Sequence, residues 1–134
     1  MVTESAPQKA KRRFPKARRL LRRSDFERVY REGRRHFAAH MTVFYVRAGR
    51  NQHTGLRVGF AVGKVLGGAV ERNRLKRRLR EAVRLADLPA DVSADVVIHP
   101  KRSLGKAGFQ ELRQAVSRAF EMIEKLLANE TRRR

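Results

Sequence analysis

No cysteine occurs in this chain. That excludes a disulfide framework and any metal site built on thiolates. No run of residues is apolar enough to cross a bilayer. The basic N-terminus is not followed by the apolar stretch that a secretory signal needs. These absences suit a cytoplasmic protein, which is the expected location. Acidic side chains are scarce: 13 Asp and Glu stand against 33 Lys and Arg, a formal net charge of +20. A folded body with that excess repels itself unless a polyanion neutralises it. Nucleic acid is the first candidate partner, and an anionic membrane surface the second. Hydrophobic residues nevertheless make up 41% of the 134 positions, too many for a purely disordered basic tail and enough for one domain with a core.

Charge and apolar pattern divide the chain. Residues 1–18 read as a basic flexible arm that holds Pro7, Pro15 and the cluster Lys9, Lys11, Arg12, Arg13, Lys16 and Arg18. Residues 129–134, ending Arg132-Arg133-Arg134, read as a basic tail, leaving 19–128 as a single domain. Within it, Ser24 and Glu27 are spaced as a capping box that opens a first helix. Gly33 closes that helix, since glycine enters the left-handed region freely. Met41 to Arg47 and Leu56 to Val62 alternate as strands. Val43 and Tyr45 share one side of the first, while Thr42, Phe44 and Val46 share the other. Leu56, Val58, Phe60 and Val62 form a core face, opposite Arg57, Gly59 and Ala61.

A basic helix follows from Ala69 to Ala86, its apolar stripe formed by Leu75, Leu79, Ala82, Val83 and Ala86. Pro89 closes the region. Asp95 to His99 reads as a short buried strand, and Phe109 to Ala128 as an amphipathic helix along Leu112, Val116, Ala119, Phe120, Ile123 and Leu127. An extra short strand is expected near Gly63. The order α-β-β-(β)-α-β-α gives an α+β sandwich, one mixed sheet with helices packed on it.

The densest chemical signal is Glu71 to Arg84. Arg72, Arg74, Lys76, Arg77, Arg78, Arg80 and Arg84 cover most of the helix outside its apolar stripe. Like charges one turn apart, such as Lys76 with Arg80, cost an isolated helix roughly 0.2–0.5 kcal/mol per pair. Only Glu71 and Glu81 offset them locally. A sequence that tolerates this repulsion points to a polyanion on the outer face, and the planar guanidinium suits paired phosphate contacts.

A second signal is aromatic. Phe44 falls on the sheet face shared with Arg57, Gly59 and Ala61, which lacks the bulk of a core. Phe26 and Tyr30 lie one turn apart on the first helix. The residues alone leave two readings: a groove with aromatic walls and a basic floor, or three ordinary core rings. Other constellations fail. Glu32, His36 and His40 would align on a helix that Gly33 interrupts, so no metal site is expected. His53 and His99 read as isolated surface or loop histidines. Gly63 and Gly68 have the spacing of a phosphate-binding loop without its Lys and Ser/Thr. No catalytic residue and no small-molecule site are expected in the polypeptide.

The segment Arg57-Val58-Gly59-Phe60-Ala61-Val62-Gly63-Lys64, followed by Gly67-Gly68-Ala69-Val70-Glu71-Arg72-Asn73-Arg74-Leu75-Lys76-Arg77-Arg78-Leu79-Arg80-Glu81, resembles the central motif of the bacterial ribonuclease P protein subunit. Its Arg-Asn-Arg signature is Arg72-Asn73-Arg74. Arg19-Leu20, Asp25-Phe26, Val29-Tyr30 and Gly33 are similar to the family's N-terminal part, so the resemblance spans roughly Arg19 to Leu127. The chain departs from it at Val65, where the family often has a second lysine after Lys64.

The resemblance implies a ribosomal-protein-like fold with a left-handed βαβ crossover, unusual for parallel strands. It also implies a subunit of an endoribonuclease whose catalysis resides in a partner RNA using bound Mg²⁺. Arg72, Asn73, Arg74, Lys76, Arg77, Arg80 and Arg84 would then contact that catalytic RNA. Phe26, Tyr30, Phe44, Arg57 and Lys64 would line a cleft for the single-stranded 5′ leader of precursor tRNA. A basic ribosomal or RNA-chaperone protein with no role in cleavage is the alternative that charge and fold type leave open.

Overall fold

The computed structural model describes residues 18–48, 55–86 and 92–132. All of the expected arm but Arg18 lies outside these residues, as do His53, Pro89, Arg133 and Arg134.

The first helix, α1 (Arg23–Glu32), begins one residue earlier than its expected cap. Arg22 occupies the cap position with extended backbone and no side-chain cap. Ser24 therefore sits inside the first turn, and Glu27 pairs with Arg23 at 3.2 Å instead of reaching back to the backbone. With Arg22 at the cap position, the reciprocal box expected from Ser24 and Glu27 does not form, and the Glu27 carboxylate is taken by Arg23 one turn away. Gly33 does end α1, its N–H donating to the Val29 carbonyl at 2.8 Å. The backbone there is extended (φ −85°) rather than left-handed. Glycine is required for a different reason: a Cβ would collide with the carbonyl oxygens of Val29 and Tyr45.

Immediately after Gly33 comes a strand that periodicity does not announce, β1 (Arg34–Phe37). It pairs antiparallel with β2 (Met41–Arg47), placing Arg35 opposite Phe44 and Phe37 opposite Thr42. Arg-Arg-His-Phe has no apolar alternation, so only the partner's hydrogen bonds reveal it. His36 and His40 therefore share no helix face with Glu32. β3 (Leu56–Phe60) stops short of Val62. The extra strand expected near Gly63 is replaced by a 3-10 turn over Lys64–Leu66, followed by Gly67 at φ +128°. α2 (Ala69–Leu85) follows, then β4 (Ala94–Pro100), a one-turn helix α3 (Arg102–Lys106) and α4 (Phe109–Arg132).

The sheet order is β1-β2-β4-β3. β2 and β4 are antiparallel, whereas β3 and β4 are parallel and joined through α2. One face carries Met41, Val43, Tyr45, Leu56, Val58, Val96 and Ile98, packed against Leu75, Leu79 and Val83 of α2 and Leu112, Val116, Phe120 and Ile123 of α4. All of the expected stripe of α2 but Ala86 is buried, and Ala86 is partly so. The opposite face carries a smaller cluster of Leu20, Val29 and Val97, with Phe26, Phe44, Val46 and Ala61 packed around it. Leu20 reaches it by running beside β3, its N–H donating to the Val58 carbonyl at 3.0 Å.

Candidate nucleic-acid interface

Two surfaces follow from this arrangement. The outer side of α2 exposes Asn73, Arg74, Arg77 and Arg80, while Arg72 and Lys76 are half-buried. The helix is capped at its N-terminus by Glu71, which accepts from the Gly68 N–H at 3.4 Å. Two cations of the helix are already occupied. Arg78 donates to the Ala107 carbonyl at 2.6 Å. Arg84 makes a two-pronged pair with Glu81, one contact at 2.9 Å, and its guanidinium holds the Glu81 carboxyl below the usual carboxylate range. The Nε of Arg72 is shielded from solvent with no partner among the described residues.

The second surface lies where α1 crosses the sheet. Its floor is organised by Asp95 of β4, which is fully buried. Arg57 of β3 reaches Asp95 through Nε at 2.9 Å and Nη2 at 3.0 Å. Arg28 of α1 reaches the same carboxylate at 3.2 Å and donates to the Arg47 carbonyl at 3.1 Å. Asp25 adds a longer pairing to Arg57 at 3.7 Å. The hydrogen bonds to Asp95 raise the already high pKa of Arg57 further. Arg57, expected as a groove cation, is thus largely neutralised by protein carboxylates.

Phe26 is half-buried above β3. A Cβ on Gly59 would lie 2.6 Å from its ring and 3.0 Å from Leu20. The missing bulk that marks this face in the sequence is therefore filled at Gly59 by Phe26. The open part lies one row further along, where Tyr30, Phe44 and His99 meet. The Tyr30 and Phe44 rings stand edge to face with centroids 5.2 Å apart. Phe44 and His99 are 4.8 Å apart, and the Tyr30 hydroxyl lies 2.7 Å from His99 Nε2. Tyr30 remains 42% exposed. Burial raises the Tyr30 pKa and lowers that of His99, favouring neutral forms of both. Lys64 is exposed in the 3-10 turn after β3 and is not among the ring contacts.

His99 is the residue that sequence reading missed. It was expected to be isolated, yet pairing with Thr42 sets it on the ring-bearing face. The signal was available in the strand alternation Asp95, Val97, His99, which places all three on one side. His40, by contrast, ties the turn after β1 to the C-terminal half of the chain, 2.9 Å from Ser103 and 3.4 Å from Glu111. Among the described residues no three His, Asp or Glu side chains gather to hold a metal ion, and no helix is long and apolar enough to cross a membrane.

An α+β domain with an acid-poor cationic helix on one side and an open ring-bearing sheet face on the other defines a small RNA-binding protein. A family model described as Ribonuclease P matches residues 14–124. The ribonuclease P protein component of Symbiobacterium thermophilum is 44% identical over 108 residues, covering 79% of this chain and 90% of that one. That of Acidothermus cellulolyticus is 41% identical over 99 residues, covering 74% and 82%. The match to the Dictyoglomus thermophilum component, 41% identical over 63 residues, spans only half the length of that relative. The fold agrees with the RNase P protein of Thermotoga maritima, at TM-score 0.65 and 25% identity over 78% of this chain and 96% of that one. It also agrees with a mutant Staphylococcus aureus RNase P protein, at TM-score 0.70 and 22% identity, covering 81% and 90%. The chain belongs to the ribonuclease P protein family.

Proposed function

We propose that this chain works in the cytoplasm as the protein subunit of a ribonuclease P ribonucleoprotein, removing the 5′ leader of precursor tRNA together with a catalytic RNA. The observation that carries this reading is the family match across residues 14–124, which takes in both α1 with its rings and the whole of α2.

Arg72, Asn73, Arg74, Lys76, Arg77 and Arg80 dock the outer side of α2 on the catalytic RNA. Arg84 joins them to the extent that Glu81 releases it. Cations placed there offset the repulsion between two RNAs. Mg²⁺ bound by the RNA would supply the chemistry of phosphodiester hydrolysis. Tyr30 and Phe44, backed by Phe26, stack unpaired bases of the leader, each worth roughly 1–3 kcal/mol irrespective of base identity. Arg57 holds the floor of that groove through Asp95, and Lys64 meets the phosphates at its mouth. Mature tRNA has no leader, so the groove separates substrate from product.

Reconstitution with the cognate RNA tests the assignment. The protein alone is expected to cleave nothing, yet to raise cleavage of precursor tRNA by the RNA at low Mg²⁺. Cleavage by the protein alone overturns the division of labour. No effect on the RNA, or equal binding of precursor and mature tRNA, favours a general RNA chaperone.

A further inference from the structure

The ring-bearing face does not stop at Phe44. Arg35 is opposite Phe44 in the register of β1 with β2, and Phe37 is opposite Thr42. Directly opposed residues of an antiparallel pair project to the same side. Arg35 and Phe37 therefore extend the face of Tyr30, Phe44 and His99 onto the edge strand. The Arg35 guanidinium lies 6.0 Å from the Phe44 ring centre and 5.7 Å from that of Phe37. The result is a ladder of ring, ring, cation and ring running from α1 to the sheet edge.

Three properties of its outer end point to an unpaired nucleotide. Phe37 is 67% exposed, so its ring is not recruited to either core. No carboxylate among the described residues pairs with Arg35, whereas neighbouring Arg34 is held by Glu130 at 3.2 Å. An exposed aromatic ring beside a guanidinium that no carboxylate neutralises matches a base and its phosphate, with stacking on one and charge on the other. A folded protein partner would instead bring larger apolar cover, and the rest of β1 offers none: Arg34 and Arg35 are exposed and His36 half-exposed.

We infer that Arg35 and Phe37 form an additional stacking subsite, which takes a nucleotide of the leader beyond those held at Tyr30 and Phe44. The inference rests on the leader-groove reading above. Stacking and a single charge make the subsite tolerant of base identity, so it senses leader length rather than sequence.

The test uses the reconstituted holoenzyme and a set of precursor tRNAs whose leaders grow one nucleotide at a time. Binding is measured for the unchanged protein and for Phe37→Leu, Arg35→Gln and Phe44→Ala. Phe37→Leu keeps an apolar side chain at an exposed position and leaves the fold intact. For the unchanged protein, affinity rises with each nucleotide until the outer subsite is filled. With Phe37→Leu the rise stops earlier, and affinity for long leaders falls about tenfold, the lower range for one stacked base. Short leaders and mature tRNA bind as before. Arg35→Gln shifts the plateau in the same way and makes long-leader binding less sensitive to salt. Superimposable curves for Phe37→Leu and the unchanged protein, with Phe44→Ala weakened at every leader length, overturn the extension alone. If Phe44→Ala is also without effect, the groove reading itself fails. An equal loss for all substrates, mature tRNA included, places Phe37 against another part of the complex and overturns the subsite.

Discussion

On α2, Arg77 and Arg80 stand exposed to solvent, whereas across the molecule Arg28 and Arg57 converge on the buried carboxylate of Asp95. The residue type is the same and the consequence opposite. A guanidinium left in water keeps its charge available at a distance and adds little to folding. A guanidinium drawn onto a buried carboxylate loses its outward field and becomes a brace between α1, β3 and β4. The high positive charge of this protein is therefore not one uniform coat. One face offers charge, while on the other Arg28 and Arg57 serve geometry and the rings stay open, with Arg35 the cation left at their outer end.

Removing Asp95 should break the comparison most forcefully. Asp95→Ala leaves Arg28 and Arg57 without their shared buried partner, with only Glu32 at 3.6 Å and Asp25 at 3.7 Å beside them, and should cost about 1.5–3 kcal/mol, the range for hydrogen bonds to a charged group. Urea denaturation should show it as a large fall in midpoint. A change no larger than that of an exposed α2 arginine would mean that Asp95 braces nothing. The reciprocal experiment is Arg77→Ala. Thermal stability should stay essentially unchanged, while the salt dependence of binding to the proposed catalytic RNA becomes shallower by about 0.7–0.9 in logarithmic slope per lost phosphate contact. An unchanged slope removes Arg77 from that interface.

The smallest effect concerns His99, on the ring-bearing side only. Its pKa lies below the ordinary value of 6.5 because burial disfavours the charged ring. The unfolded chain therefore binds the proton first as pH falls. The stability attached to neutral His99 is complete above 6.5 and is lost as pH drops from there through the folded pKa. Compared with His99→Gln, the unchanged protein should show a steeper loss of stability over that acidic window. Parallel profiles would mean that His99 is solvated.

Much of the fold could be read from patterns that local chemistry enforces. Leu75, Leu79, Ala82 and Val83 repeat at helical spacing because one side of α2 must face the sheet. The alternation of β2 likewise separates Val43 and Tyr45 from Phe44, because successive side chains of a strand point to opposite faces. β1 escaped because Arg34 to Phe37 carry no apolar rhythm, and an edge strand borrows its order from a neighbour. The cap at Ser24 failed because the helix begins earlier, at Arg23, and leaves Ser24 inside its first turn. His99 looked isolated because its partners, Tyr30 and Phe44, are far away in the chain.

By itself the sequence determined the charge, the cationic helix and its buried stripe, and the family motif around Arg72-Asn73-Arg74. Each depends on residues close together along the chain, or on a simple sum over it. Only the tertiary structure decided which arginines are free and which are tied, that Phe26 plugs Gly59, and that Arg35 and Phe37 continue the row begun at Tyr30. Those outcomes depend on strand register and on α1 crossing the sheet, and register joins residues whose distance in sequence carries no periodic trace.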